Sequence, residues 1–119
     1  MTKDYRSQKD IIKKVKQEGQ TVVLELQGDI DMGNSPVVRT KIIELFQDKP
    51  QVLVINMTEV GYMDSSGLGT LVEALKWSNR KGAQLRLVGV TGSVRNVFEI
   101  SRLVSIFNFF SNEEEALSQ

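Results

Sequence analysis

Asp64, Ser65 and Ser66 stand together in the stretch Val60-Gly61-Tyr62-Met63-Asp64-Ser65-Ser66-Gly67-Leu68-Gly69, the part of the chain best suited to chemistry. An apolar run, Val52-Leu53-Val54-Ile55, precedes it, and Leu68, Leu71, Val72 and Leu75 recur behind it at helical spacing. A strand therefore delivers two hydroxyls and a carboxylate to a turn where a helix begins. The unpaired N–H groups and positive dipole end of a helix start make a ready site for an anion. A plainer use competes with this one: Asp64, Ser65 or Ser66 caps the helix, and the glycines only let helix and sheet pack closely. Against the plainer use, one cap needs one side chain, so the second hydroxyl is surplus. Gly67 and Gly69 also each cost about 0.5–1 kcal/mol relative to alanine inside a helix.

Other positions suggest sites with less force. Gly28-Asp29-Ile30-Asp31 is turn-forming in composition, and its two carboxylates make an acidic edge; as a metal pair the set has too few ligands. Gly92-Ser93 opens a second short helix, where Ser93 reads as an N-cap and a possible secondary anion site. No metal site is expected.

Absences narrow the chemistry further. The 119 residues hold no histidine and no cysteine, which removes Ser-His-Asp hydrolysis, histidine phosphorelay, thiol catalysis and the usual zinc sites. No P-loop, kinase-type Gly-rich loop or Gly-x-Ser-x-Gly elbow is present, so the chain is not read as an enzyme. Fifteen basic residues balance fifteen acidic ones, leaving no net field for nucleic acid or an anionic membrane. No apolar run is long enough to span a bilayer, and Met1 to Asp10 does not read as a signal peptide. A cytoplasmic location is the default expectation.

The elements that must position the serines follow from patterning. Thr2 to Lys9 reads as a loose lead-in or the start of an edge strand. Ile11 to Lys16 is an exposed first strand, turning at Gly19-Gln20 into Thr21 to Leu26, whose β-branched residues mark a strand. Asn34 or Ser35 caps a helix with Pro36 in its first turn and Val38, Ile42, Leu45 and Phe46 on one face; Asp48-Lys49-Pro50 stops it. Val52 to Ile55 reads as a strand buried on both faces. The serine helix runs from about Ser66 to Arg80, with Trp77 partly buried late in it. Gln84 to Val88 is a strand, Ser93 to Phe98 a helix, Leu103 to Phe107 a short strand, and Phe109-Phe110 begin the exit. Ser111 or Asn112 caps a last helix whose Glu113, Glu114 and Glu115 compensate its dipole without needing a partner. The order is β-β-α-β-α-β-α-β-α in one α/β domain, with a mixed sheet of four to five strands and about four helices. The loops carrying Asp29, Asp31, Asp64, Ser65 and Gly89 to Ser93 all follow strands and are expected on one face.

Met63-Asp64-Ser65-Ser66-Gly67-Leu68-Gly69 resembles the signature of the STAS domain of bacterial anti-sigma factor antagonists. Gly28 to Asp31 resembles that family's acidic turn, and Ser101-Arg102-Leu103 with Ile106-Phe107 its closing segment, so the likeness runs from about Ile11 to Leu117. It implies that Ser65 accepts a phosphoryl group, that Ser66 is a neighbouring cap, and that Asp29, Asp31, Asp64, Ser66, Gly67, Leu68 and Gly69 meet a partner. That partner would be an anti-sigma factor resembling a GHKL-type serine kinase, which brings the nucleotide, with a PP2C-type phosphatase to reset the switch. No cofactor is implied for the chain itself. Relatives of the fold also include ligand-sensing and scaffold proteins, and in that alternative the helix start holds a nucleotide or small anion.

Overall fold

The computed structural model describes residues 10–119, so the expectation for Thr2 to Lys9 lies outside the described residues. Five strands form one sheet in the order β1-β2-β3-β4-β5: β1 (Ile12–Glu18), β2 (Thr21–Ile30), β3 (Val52–Met63), β4 (Gln84–Val88) and β5 (Asn108–Phe110). β1 and β2 are an antiparallel hairpin turning at Gly19, and every later pairing is parallel. The crossovers are α1 (Ser35–Gln47), α2 (Ser65–Arg80) and α3 (Gly92–Ile100). Each steps in the same direction along the sheet, so a constant hand puts all three on one face. That face holds the main core: Leu24, Leu26, Leu53, Ile55 and Leu87 meet Phe46, Leu71 and Phe98. Phe46 is fully buried and Trp77 packs against the same cluster, as expected of both.

The opposite face is covered by α4 (Glu113–Leu117), whose Ala116 buries Val23, Val54 and Val88. Asn112 caps α4 by accepting the Glu115 N–H at 2.9 Å. The three glutamates are more than dipole compensation. Glu113 accepts hydrogen bonds from Lys16 and from Asn56, both at 2.6 Å, tying α4 to β1 and β3. At its other end Arg86, only 7% exposed, donates to the Ala116 carbonyl at 2.6 Å and fixes the last turn.

Two element boundaries differ from expectation. The segment read as a strand from Leu103 to Phe107 instead forms a 3-10 turn, Val104–Ile106, and β5 begins at Asn108. Arg102 takes a positive φ of 60° after α3, and the Leu103 N–H closes the helix end on the Phe98 carbonyl. The chain thus needs one more turn before it reaches the sheet. The Phe107 and Phe109 rings both stand nearly perpendicular to that of Phe98, their centroids 5.2 and 5.3 Å from its own. The period of two that marks this strand therefore starts at Phe107 and runs through residues read as an exit.

The second difference bears on function. β3 does not end near Ile55 but continues to Met63, paired with β2 as far as Ile30↔Met63. Pairing with β4 stops at Asn56↔Val88. Gln27–Ile30 and Glu59–Met63 therefore project past the sheet as a two-stranded tongue, and Gly28-Asp29 belong to strand rather than turn. β3 carries one extra residue between Asn56 and Glu59 and another, Gly61, between Val60 and Tyr62. Such bulges break the alternation and twist a strand.

Candidate functional site

The tongue ends where α2 begins. The Asp64 N–H bonds the Ile30 carbonyl at 3.1 Å, continuing the ladder by one link into the helix cap. Asp64 is then the N-cap, in extended conformation. One of its oxygens, Oδ1, accepts the Ser66 N–H at 2.9 Å, the Gly67 N–H at 3.3 Å and the Ser66 hydroxyl at 2.5 Å. Its backbone carbonyl takes the Leu68 N–H. The donors that a foreign anion would need at this helix start are therefore already engaged by Asp64. An anion-ready helix start is what the sequence suggests; the structure fills that place with a residue of the chain. Ser66, expected as a cap, instead braces the cap.

The two serines thus separate by geometry. Ser66 is half-buried and committed to Asp64. Ser65, the first residue of α2, is exposed, and among the described residues its hydroxyl makes no hydrogen bond. The surplus hydroxyl is Ser65.

The Ser66 hydroxyl, more than any other group, holds the Asp64 carboxyl below its usual range, opposed in part by desolvation; the N–H groups of Gly67, Ser66 and Met32 add to the effect. A carboxylate so engaged is a poor proton acceptor. Its folded pKa lies below the unfolded one, so its contribution to stability is present above about pH 4 and lost as pH falls through the folded value. The gap in unfolding free energy between wild type and Asp64→Asn is expected to be widest at neutral pH and to close below about pH 4. Urea titrations at pH 2.5 to 7 read it, and a gap independent of pH contradicts the assignment.

Asp29 and Asp31 are exposed and flank the same place. Asp29 pairs across the tongue with Tyr62. Asp31 turns the chain by accepting the Gly33 N–H at 2.8 Å. Asn34, the N-cap of α1, makes no side-chain cap; its amide spans the turn, accepting the Asp31 N–H at 2.9 Å and donating to the Asp29 carbonyl at 2.7 Å. Loop and helix start are thus each held by their own hydrogen bonds, and the Asp64 N–H on the Ile30 carbonyl joins them.

The remaining candidates divide. Leu68 is a core residue, 5% exposed, so it positions the helix and presents nothing to a partner. Gly67 is there for packing, because a Cβ would lie 2.5 Å from Met63 Cγ and 2.8 Å from Ile30 Cγ2. Gly69 is exposed with nothing within 4 Å of its Cβ position. Opposite signs follow: Gly67→Ala is expected to cost about 1–3 kcal/mol, and Gly69→Ala to add about 0.5–1 kcal/mol. Thermal melts of the two variants check both.

Gly92 and Ser93 lie beside the tongue. Thr91, not Ser93, is the N-cap of α3. The Ser93 hydroxyl donates to the Gly61 carbonyl at 3.0 Å, so it braces the second bulge of β3 rather than capping a helix. The loops expected on one face do converge there.

Sequence reasoning passed over two residues here. Met32 is 77% exposed between Asp31 and Gly33, and Tyr62 is 48% exposed three residues before Ser65. A methionine inside a polar turn, outside any apolar period, was the available signal. Among the described residues no cluster of acidic, histidine or cysteine side chains could hold a metal ion, and no helix is long and apolar enough to cross a membrane.

Comparison with known proteins fits this geometry. The STAS domain family matches residues 12–116. The Anti-sigma-B factor antagonist of Bacillus subtilis (strain 168) is 31% identical over 100 residues, 84% of this chain and 91% of that one. The Anti-sigma-B factor antagonist of Listeria monocytogenes serovar 1/2a is 36% identical over 89 residues, 74% of this chain and 77% of that one. Among solved structures, the Bacillus cell fate determinant SpoIIAA in its phosphorylated form aligns with a TM-score of 0.70 and 26% identity, over 88% of this chain and 96% of that one. The chain belongs to the STAS domain family.

Proposed function

We propose that this protein is an anti-sigma factor antagonist whose binding is switched by phosphorylation of Ser65. Unmodified, the face around Ser65 binds an anti-sigma factor and frees a sigma factor. The observation that carries the reading is the division of labour between the serines: Ser66 is spent on the cap, while Ser65 offers an exposed hydroxyl without a partner among the described residues. Relatives named anti-sigma factor antagonists, and one solved in a phosphorylated form, support it.

The chain is the substrate, and the catalyst is the partner. The Ser65 Oγ attacks the γ-phosphorus of an ATP held by the anti-sigma factor; the new Oγ–P bond forms as the bond to the β–γ bridging oxygen breaks, and ADP leaves. The hydroxyl proton needs a base, and Asp64 is already accepting three donors, so the partner supplies it. The product adds about −1.5 to −2 charges at pH 7, facing ADP phosphates on one side and Asp64 on the other. The complex then separates, and a phosphatase restores the hydroxyl.

The test is to incubate the protein with each serine-kinase-type anti-sigma factor of its source organism and magnesium ATP, then map phosphate by mass spectrometry. One phosphate on Ser65, absent from Ser65→Ala, is the expected result. Phosphate on Ser66, or on no residue with any anti-sigma factor, overturns the reading.

A further inference from the structure

The acidic edge beside Ser65 carries two apolar side chains that the core does not use, and together they describe what must sit on it. Met32 projects from a turn that Asn34 and Asp31 hold rigid by four hydrogen bonds. Tyr62 stands on the tongue opposite Asp29. The Asp64 N–H bonds the carbonyl of Ile30, the residue before the turn, so turn and helix start are one surface. Met32 is 77% and Tyr62 48% exposed, and neither belongs to the packed core.

Charge is segregated around them. The chain is neutral overall, yet residues 28–38 and 51–75 contain no lysine or arginine. Among the described residues, no lysine or arginine forms an ion pair with Asp29, Asp31 or Asp64. Acidic groups with no internal counter-charge, set about apolar anchors, are complementary to a basic rim around an apolar pocket. A second copy of this chain does not fit, because a two-fold contact would set these aspartates against their own copies. An anionic membrane or a nucleic acid is repelled for the same reason.

We infer that Met32 and Tyr62 are the apolar anchors of the partner interface, and that the partner's surface is an apolar pocket rimmed by lysine and arginine that engage Asp29 and Asp31. This rests on the reading of the protein as an anti-sigma factor antagonist and names what that reading leaves open, the chemistry of the partner's face. The division of roles also fits the switch: the partner's cations lie at the rim, over Asp29 and Asp31, while its anionic nucleotide lies over Ser65.

Binding of purified anti-sigma factors, loaded with magnesium ADP, to immobilised wild type and variants tests the inference. Met32→Ser and Tyr62→Ala are each expected to weaken binding roughly tenfold or more. Ile100→Ser is the matched control: Ile100 is 74% exposed at the far end of α3, and its loss should change affinity less than about twofold. Asp29→Asn with Asp31→Asn should slow association about tenfold and flatten its dependence on salt. All these positions are exposed, and thermal melts confirm that the variants fold. If wild type binds and Met32→Ser binds within about twofold of it, the inference fails and the antagonist reading stands. Association insensitive to salt also overturns the inference. Wild type that binds no anti-sigma factor overturns both.

Discussion

Ser65→Asp is expected to lower affinity for the anti-sigma factor at least ~100-fold, close to 2.7 kcal/mol, while leaving the melting temperature within a few degrees of wild type. The fold is indifferent because Ser65 is exposed, makes no hydrogen bond among the described residues, and occupies the first position of α2, where a carboxylate meets the favourable end of the dipole. The interface is not indifferent. A fixed charge in the centre of a desolvated contact costs several kcal/mol unless the partner pairs it, and the group opposite is a nucleotide phosphate. Ser66→Asp should behave in reverse. Its carboxylate would replace a hydroxyl donated at 2.5 Å to Asp64, so two like charges would share the cap and the loss would appear in stability. Ser65→Ala should bind normally and never be released by the kinase. Calorimetric titration and thermal melts of the three variants separate these outcomes, and undiminished binding by Ser65→Asp contradicts the switch.

The same pair of serines marks how far the residues speak before folding. The helix that follows them, the strand that precedes them and the order of elements are legible, because each buries one face and leaves a period in the sequence. Their different roles are not legible, because both hydroxyls suit a cap and the choice was made by the direction of the Asp64 carboxylate. β3 is only half legible for a related reason. Val52 to Ile55 pack on both faces of the sheet, but beyond Asn56 two bulges reset the alternation, so Thr58, Glu59 and Gly61 look like loop. The role of Glu113 is hidden by distance, since its partners Lys16 and Asn56 are 97 and 57 residues away. Acidic residues at a helix start have a sufficient local reason, and nothing in the pattern says that one of them has a second.

Gly89→Ala is expected to lower stability by about 3 kcal/mol or more, the largest effect of any single methyl group in this protein. Gly89 follows β4 at a φ of 73°, where an L side chain is strained, and its N–H is held by the Phe110 carbonyl at 3.0 Å. A Cβ would lie 2.3 Å from Thr58 Oγ1 and 2.8 and 2.9 Å from Thr58 Cα and N. Backbone cannot rotate aside as a side chain can. Thr58 cannot retreat either, because Asn56 accepts its N–H at 2.9 Å and its hydroxyl at 2.6 Å while donating to Glu113. The first bulge of β3 is thereby clamped between β4 and α4, and the tongue that carries Ser65 starts from that clamp. At about 0.25 kcal/mol per degree for 119 residues, the melting temperature should fall by about 12 °C. Gly82→Ala isolates the conformational part: its φ is 68° but nothing lies within 4 Å, so it should cost only about 1 kcal/mol. Adding Thr58→Ala to Gly89→Ala should recover part of the loss and no more, since the closest atom is removed but the two backbone contacts remain. A Gly89→Ala protein that melts within about 4 °C of wild type would mean that β3 yields at Thr58. The base of the tongue would then be a hinge, and not the fixed support from which the serine site is presented.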